Sequence, residues 1–275
     1  CGSGGMLMIT KEHITVGMRR NREIIRPPSN PDADVHLFGQ EVNPETWAVS
    51  KSDLFMKDPT GRDADNIAFG SVLSNDRHSG RHFDYLIANP PYGKDWSRDE
   101  DGVRAEHERG DAGRFAPGLP RKSDGQLLFL LHMLAHAKRP QEGGSRIAII
   151  MNGSPLFTGD AGSGESEIRR YILENDLLEA LIALPEQLFY NTGIATYIWV
   201  VTNRKEPRRR GLVQLIDASS FWVPMRRSLG DKRREIPADR AREILDIFAA
   251  FQDGETRVVE KAGTSEEVVV SKVFP

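Results

Sequence analysis

The sequence predicts an α/β fold, a mostly parallel sheet with helices on both faces. Short apolar runs alternate with helical stretches along most of the chain, the pattern of strands joined by crossover helices. A glycine-rich turn, Gly2-Ser3-Gly4-Gly5, opens the first helical stretch. The apolar run Phe83-Asp84-Tyr85-Leu86-Ile87-Ala88 reads as a buried strand ending on a rigid turn, Asn89-Pro90-Pro91-Tyr92.

In chain order, residues 5–14 are expected to be helix and 19–34, with Pro27, Pro28 and Pro31, a loop. Val35 to Val42 reads as a short buried strand. Asn43 then caps a helix whose first turn holds Pro44, where a missing N–H costs nothing. Trp47, Val49, Leu54 and Phe55 of that helix are expected to face the sheet. Ile67-Ala68-Phe69 is a strand entering Gly70. Residues 93–122 are polar and rich in Gly, Asp and Arg. A connection of about thirty residues is either functional, as a lid ordering on a ligand, or disordered. Ser123 and Gln126 have the spacing of a capping box, opening an apolar helix through Ala137. Strand, helix, strand and strand follow at Ser145–Met151, Glu165–Asn175, Leu178–Leu184 and Ile194–Val201. The pattern then changes, with one more strand at Leu212–Ile216 and an amphipathic helix at Ala238–Phe251. This divides the chain into a core, 1–205, and a C-terminal extension, 206–275.

Of the 275 residues, 39% are hydrophobic and 28% charged, which is ordinary for a soluble globular protein. No apolar run has membrane-spanning length, and a single cysteine, Cys1, excludes an intramolecular disulfide framework. A cytoplasmic protein is the simplest reading. No Cys/His grouping has the spacing of a zinc site, so no metal is expected. The net charge of −3 argues against a chain that grips nucleic acid unaided. Residues 204–234 nevertheless carry ten Arg or Lys against three Asp or Glu, either a solvated face or a contact for phosphates or a partner.

The chemistry concentrates at residues 89–92. Asn89 precedes proline and is pushed to extended geometry. Pro90 and Pro91 offer no N–H, so carbonyl acceptors line the turn. The Asn89 amide oxygen and the Pro90 carbonyl can converge on one amino group, with the Tyr92 ring beside it. That combination suits methylation of an exocyclic amine on a flat ring. Glu41, closing its strand, is placed to accept ribose hydroxyls, as acidic residues do in dinucleotide folds. His132 and His136, at helical spacing, read as flanks of a core helix, and Gly159 to Gly164 as a turn without the Lys-Ser/Thr of a phosphate loop.

Four stretches occur in order: Cys1-Gly2-Ser3-Gly4-Gly5, Phe38-Gly39-Gln40-Glu41-Val42-Asn43-Pro44, Asn89-Pro90-Pro91-Tyr92-Gly93-Lys94-Asp95-Trp96 and Leu184-Pro185-Glu186-Gln187-Leu188-Phe189-Tyr190-Asn191-Thr192-Gly193-Ile194. Together they resemble the modification subunit of type I restriction-modification systems, an adenine-N6 DNA methyltransferase, over about the first 205 residues. The resemblance implies a Rossmann-like S-adenosylmethionine-dependent methyltransferase core. Gly2, Ser3 and Gly4 would hold the cofactor, Glu41 its ribose and Val42 its adenine, with Ser71 where many relatives carry an acid. Asn89 and Pro90 would bind the target amine, and Tyr92 and Phe189 the two faces of the flipped base, with Tyr190 as runner-up to Phe189. Asp124 and Gln126 resemble a downstream motif near the cofactor pocket, though a capping role explains them as well. The implied partners are DNA, a specificity subunit, a second modification subunit and a restriction subunit. Rival readings are a glutamine-amide methyltransferase acting on protein and a truncated subunit that only docks.

In the resembling family a central strand ending in an acid precedes the glycine turn, and a helical domain precedes that. Neither is in this sequence, so the chain is expected to be a fragment with unpaired strand edges, each buried orphan group costing about 1–3 kcal/mol. A broad, low-temperature melt by far-UV circular dichroism is the expected result, and a cooperative high-temperature melt would contradict it.

Overall fold

The computed structural model describes residues 1–275 except 21, 22, 59, 191, 262 and 263. The chain divides into two compact units, Cys1–Arg81 with Asp99–Val103, and His82–Arg98 with Arg104–Pro275. No helix among the described residues is long and apolar enough to cross a membrane.

In the first unit, α1 (Gly5–Thr15) is followed by β1 (Met18–Arg20) and β2 (Glu23–Arg26), an antiparallel pair where the sequence suggested a loop. Residues 21 and 22 of that stretch lie outside the described residues. β3 (Gly39–Glu41), α2 (Pro44–Lys57), α3 (Arg62–Asp65) and β4 (Ile67–Phe69) complete the unit, with β3 and β4 parallel. The strand expected over Val35–Val42 shrinks to three residues. Buried Asp63 accepts the Leu37 N–H at 3.0 Å, so a side chain takes a backbone donor that a longer strand would give to its neighbour. Asn43 caps α2 as expected, its Oδ1 accepting from Thr46 N at 2.8 Å. Leu54 packs with Leu37, Ala64 and Ile67, and Trp47 joins them while its Nε1 donates to the Ile67 carbonyl. Val49 and Phe55, expected to face the sheet, are half exposed, because a two-stranded sheet covers only a narrow stripe of the helix.

The second unit contains β5 (Tyr85–Ala88), α4 (Glu100–His107), which begins in the first unit, α5 (Gln126–Ala135), β6 (Arg146–Asn152), α6 (Ser154–Phe157), α7 (Gly164–Glu174), β7 (Leu178–Ala183), β8 (Thr196–Thr202), β9 (Val213–Asp217), β10 (Val223–Leu229), β11 (Lys232–Glu235), α8 (Ala238–Ala250), β12 (Glu255–Lys261) and β13 (Thr264–Phe274). Seven strands form one sheet in the order β12-β13-β9-β7-β8-β6-β5. Five run the same way, and β8 and β13 run against them. β8 reverses because only the short segment 184–195 separates it from β7, too little for a crossover helix. The stretch expected as an extension, 206–275, thus supplies β9, β12 and β13 to the sheet that carries β5–β8. Ile244 and Ile247 of α8 pack on Ile182, Val200, Ile216 and Val270, each isoleucine contributing about 1.5–3 kcal/mol.

The polar stretch 93–122 is not structureless. It carries α4 and buries Trp96 and Phe115. Its ends are tied together, Trp96 N donating to Lys122 O at 3.0 Å and Trp96 Nε1 to Arg121 O at 2.9 Å. The capping box expected at Ser123 and Gln126 does not form. Gly125 is the N-cap of α5, with no side-chain cap.

The sheet also buries a charge. Glu179 on β7 is 1% exposed. Its Oε1 lies 3.1 Å from Arg146 Nη2 and 3.6 Å from Nε of Arg209, itself 2% exposed. Arg209 also donates to Gln214 Oε1 and the Phe248 carbonyl, and lies over the Phe248 and Phe251 rings. Burial draws its guanidinium below the usual arginine range, and Glu179 opposes that. Arg209→Ala should cost about 3–5 kcal/mol, because it strips one of two cations from a buried carboxylate. Arg208→Ala, at a half-exposed pair with Glu206, should cost less than about 1 kcal/mol. Urea titration followed by tryptophan fluorescence separates the two.

Candidate active site

Among the described residues, β5 pairs with β6 alone, in parallel, with Ala88 opposite Ile149. Its carboxyl end presents Asn89, which is exposed, followed by buried Pro90 and half-buried Tyr92. The Tyr92 hydroxyl donates to Asn89 Oδ1 at 2.6 Å. Burial pushes the Tyr92 phenol up to about 12, so it stays a donor at neutral pH. This bond orients the Asn89 amide and leaves one of the two Oδ1 lone pairs open. Among the described residues, no hydrogen bond reaches the Pro90 carbonyl.

Phe189 comes from the connection between β7 and β8. The chain turns there through Gln187, at φ 61°, and Phe189 bridges to Thr192. Its ring meets that of Tyr92 edge-on, with centroids 6.2 Å apart and planes at 72°. The fold therefore gathers Asn89, Pro90, Tyr92 and Phe189, whereas Tyr190 is exposed and lies under Lys232. Asn191 of the same motif lies outside the described residues.

A polar network behind the turn was only partly visible in the sequence. Fully buried Gln126 donates from Nε2 to Asp124 Oδ1 and to Asn152 Oδ1, both at 2.9 Å, and its Oε1 accepts from Asn152 N at 3.0 Å. Asn152 closes β6, the strand beside β5, and nothing in its sequence context marks it. Gly125 N donates to Lys94 O, and a Cβ on Gly125 would sit 3.2 Å from the Trp96 ring. Trp96 and Gly125 thus fasten the chain leaving the turn to the start of α5.

In the first unit, Gly2 and Gly4 have φ of 61° and 77°, which only glycine adopts freely, and Gly4 is the N-cap of α1. Glu41 Oε2 accepts from Gly2 N at 2.8 Å, and Oε1 accepts from Asn43 N at 2.9 Å. Burial pushes this carboxyl up, but these donors outweigh it and hold it below the usual carboxylate range. Val42 is half exposed just beyond β3. Ser71 follows β4 after Gly70, at φ 130°, whose N–H donates to the Glu41 carbonyl. Glu41, Val42 and Ser71 thus share the carboxyl ends of a parallel strand pair, where open α/β sheets bind ligands. A separate cleft of about 690 Å³, lined by residues such as Phe38, Trp47, Asn75, Arg77 and Arg81, contains none of them.

A profile of N-6 DNA methylases matches residues 1–273, well past the first 205 that the motifs covered. The chain is 30% identical over 273 residues to the HindI methylase subunit of a type I restriction enzyme from Haemophilus influenzae, covering 97% of this chain and 54% of that protein. It is 25% identical over 255 residues to the MjaIX methylase subunit from Methanocaldococcus jannaschii, covering 93% and 41%. A solved type I methyltransferase subunit from Streptococcus thermophilus gives a TM-score of 0.70 at 26% identity, over 92% of this chain and 46% of that one. The chain spans about half the length of these relatives. With a carboxylate and glycine turn at the strand ends of one unit, an Asn-Pro-Pro-Tyr turn under an aromatic ring in the other, and a family match across nearly its whole length, this protein belongs to the N-6 DNA methylase family.

Proposed function

We propose that this chain is the catalytic core of an S-adenosylmethionine-dependent, site-specific DNA adenine-N6 methyltransferase, acting as the modification subunit of a type I restriction-modification complex in the cytoplasm. The observation that carries the reading is the Asn89 amide oxygen, fixed by Tyr92 and still open to a second donor, next to an unbonded Pro90 carbonyl and two aromatic rings.

The residues at the ends of β3 and β4 fit the cofactor. Half-exposed Val42 offers an apolar face, Glu41 Oε1 keeps a lone pair for a ribose hydroxyl, and no side chain crowds Gly2. Gly2, Ser3, Gly4, Glu41, Val42 and Ser71 would hold it, and bound S-adenosylmethionine supplies an electrophilic methyl group. The N6 lone pair of adenine is delocalised into the ring and is a weak nucleophile. Asn89 Oδ1 and the Pro90 carbonyl each accept one N6 hydrogen, which draws the lone pair back onto nitrogen and stabilises the positive charge that develops there. No ionised base is required before transfer. A duplex hides N6, so the base is flipped out. It stacks on Tyr92 in place of the Phe189 edge, and Phe189 swings to cover its other face, a stacking contact of about 1–3 kcal/mol. A chain of net charge −3 leaves sequence reading to a specificity subunit, with a second modification subunit and, for cleavage, a restriction subunit completing the complex.

Transfer of tritium from labelled S-adenosylmethionine to DNA rather than to protein is the expected outcome, and labelling of protein alone would replace this reading with the glutamine-amide one. Asn89→Ala should lower the rate about a hundredfold or more while calorimetry still detects cofactor binding. Tyr92→Phe keeps the ring and loses the orienting bond. It should slow transfer by about two- to tenfold. Because the phenol titrates at about 12, its loss should leave the pH–rate profile between neutrality and mild alkali unchanged in shape.

A further inference from the structure

The basic stretch at 204–234 is two different structures. In its first half, four of the five cations are engaged by the fold, and Arg210 is exposed. Arg204 donates to the Gly143 carbonyl, and Lys205 pairs with Asp176 at 2.5 Å and donates to the Leu212 carbonyl. Arg208 pairs with Glu206 and caps the Ala249 carbonyl, and Arg209 serves Glu179. Its second half is the β10–β11 hairpin, where Arg226, Arg227, Lys232, Arg233 and Arg234 face only Asp231 and Glu235 in sequence. Arg226, Arg227 and Arg233 are exposed. Among the described residues, none of these five cations has an acidic partner within salt-bridge distance. Lys232 lies 5.1 Å from the centroid of the Tyr190 ring and Arg234 4.0 Å from that of Trp222.

The hairpin is fastened to the loop that carries Phe189. Arg233 N and Arg234 N both donate to the Gln187 carbonyl, at 3.0 and 3.2 Å, and Asp231 N donates to the Tyr190 carbonyl at 3.2 Å. Gly230, at φ 61°, makes the approach possible, since a Cβ there would lie 2.9 Å from the Tyr190 oxygen. Phe189 in turn touches Tyr92. Exposed, unpaired arginines therefore stand one loop away from the turn that receives the base.

The geometry points to the β10–β11 hairpin as a phosphate clamp: Arg226, Arg227 and Arg233 hold backbone phosphates of the strand that flanks the flipped nucleotide. The inference rests on the DNA reading above and adds to it where the strand runs. Three observations favour nucleic acid over an acidic protein surface. The hairpin carries five cations against Asp231 and Glu235, in an otherwise acidic chain. Its cations are interleaved with aromatic rings, as on strand-tracking surfaces. It also shares a loop with the base-stacking ring. Guanidinium forks match phosphate oxygens in two-point contacts.

The test titrates the full chain against a labelled duplex by fluorescence anisotropy over a range of salt concentrations. It compares wild type with Arg226→Gln/Arg227→Gln/Arg233→Gln. A charge-matched control, Arg109→Gln/Arg170→Gln/Arg242→Gln, removes as many charges from exposed arginines outside the hairpin. Each lost phosphate contact removes about 0.9 from the slope of log K against log salt, so the hairpin variant should lose about 2 to 3. Its KM for DNA should rise about tenfold or more with kcat retained, and the control should keep the wild-type slope. A hairpin variant with wild-type slope and affinity overturns the clamp and assigns the patch to an acidic protein surface, leaving the methyltransferase reading intact if Asn89→Ala still abolishes transfer. Equal losses in hairpin variant and control also overturn it, because bulk charge would then explain binding. A reduced slope specific to the hairpin, with no methyl transfer to DNA by wild type, keeps the clamp and removes the methyltransferase reading instead.

Discussion

A carboxylate buried to 1% exposure cannot stand alone, and Glu179 sets the conditions for much of the larger unit. It sits on β7 and draws one cation from β6, Arg146, and another from the turn before β9, Arg209. Arg209 also binds the Phe248 carbonyl of α8 and Gln214 of β9. A single charge thus joins β6, the strand beside β5, to the C-terminal half of the chain. Residues 206–275 supply β9, β12 and β13 to the sheet that holds β6, and the family match extends through them to residue 273.

The same sheet brings Asn89, Tyr92 and Phe189 together. Asn89 follows the last residue of β5, and the connection from β7 to β8 carries Phe189 to the Tyr92 ring. Tyr92 does two jobs there. Its hydroxyl fixes which way the Asn89 amide faces, and its ring meets the edge of Phe189. Burial keeps the phenol protonated, so the orienting bond survives any ordinary change of pH. Gln126, Asp124 and Asn152 interlock behind the turn, and Trp96 ties the outgoing chain to α5.

Three departures of the structure from the sequence reading trace to a competitor for a hydrogen bond or a face. Val35–Leu37 looks like strand, but Asp63 takes the Leu37 N–H. Gln126 has capping-box spacing, but its amide is committed to Asp124 and Asn152, and Gly125 ends up as the N-cap. Val49 and Phe55 have the apolar character of buried residues, yet the two strands beneath α2 cover only the stripe holding Leu54 and Trp47. The polar composition of 93–122 conceals Trp96 and Phe115, whose burial orders the segment. In the basic stretch at 204–234, Lys205, Arg208 and Arg209 are structural ion-pair partners while the hairpin cations stand apart, a division invisible to a count of charges.

Local chemistry determined what the sequence alone could determine. Proline removes donors, glycine permits positive φ and asparagine caps a helix whatever surrounds them, so the 89–92 turn, the glycine turn and the start of α2 were legible, as was the alternation that makes an α/β sheet. Tertiary structure decided everything that depends on which distant group arrives first: the two arginines at Glu179, the partner of Gln126, the reversed strand β8, the second face at Tyr92 and the hairpin on the Tyr190 loop. These contacts join residues tens of positions apart, and their energies come from burial and charge compensation that exist only once the sheet has closed around them.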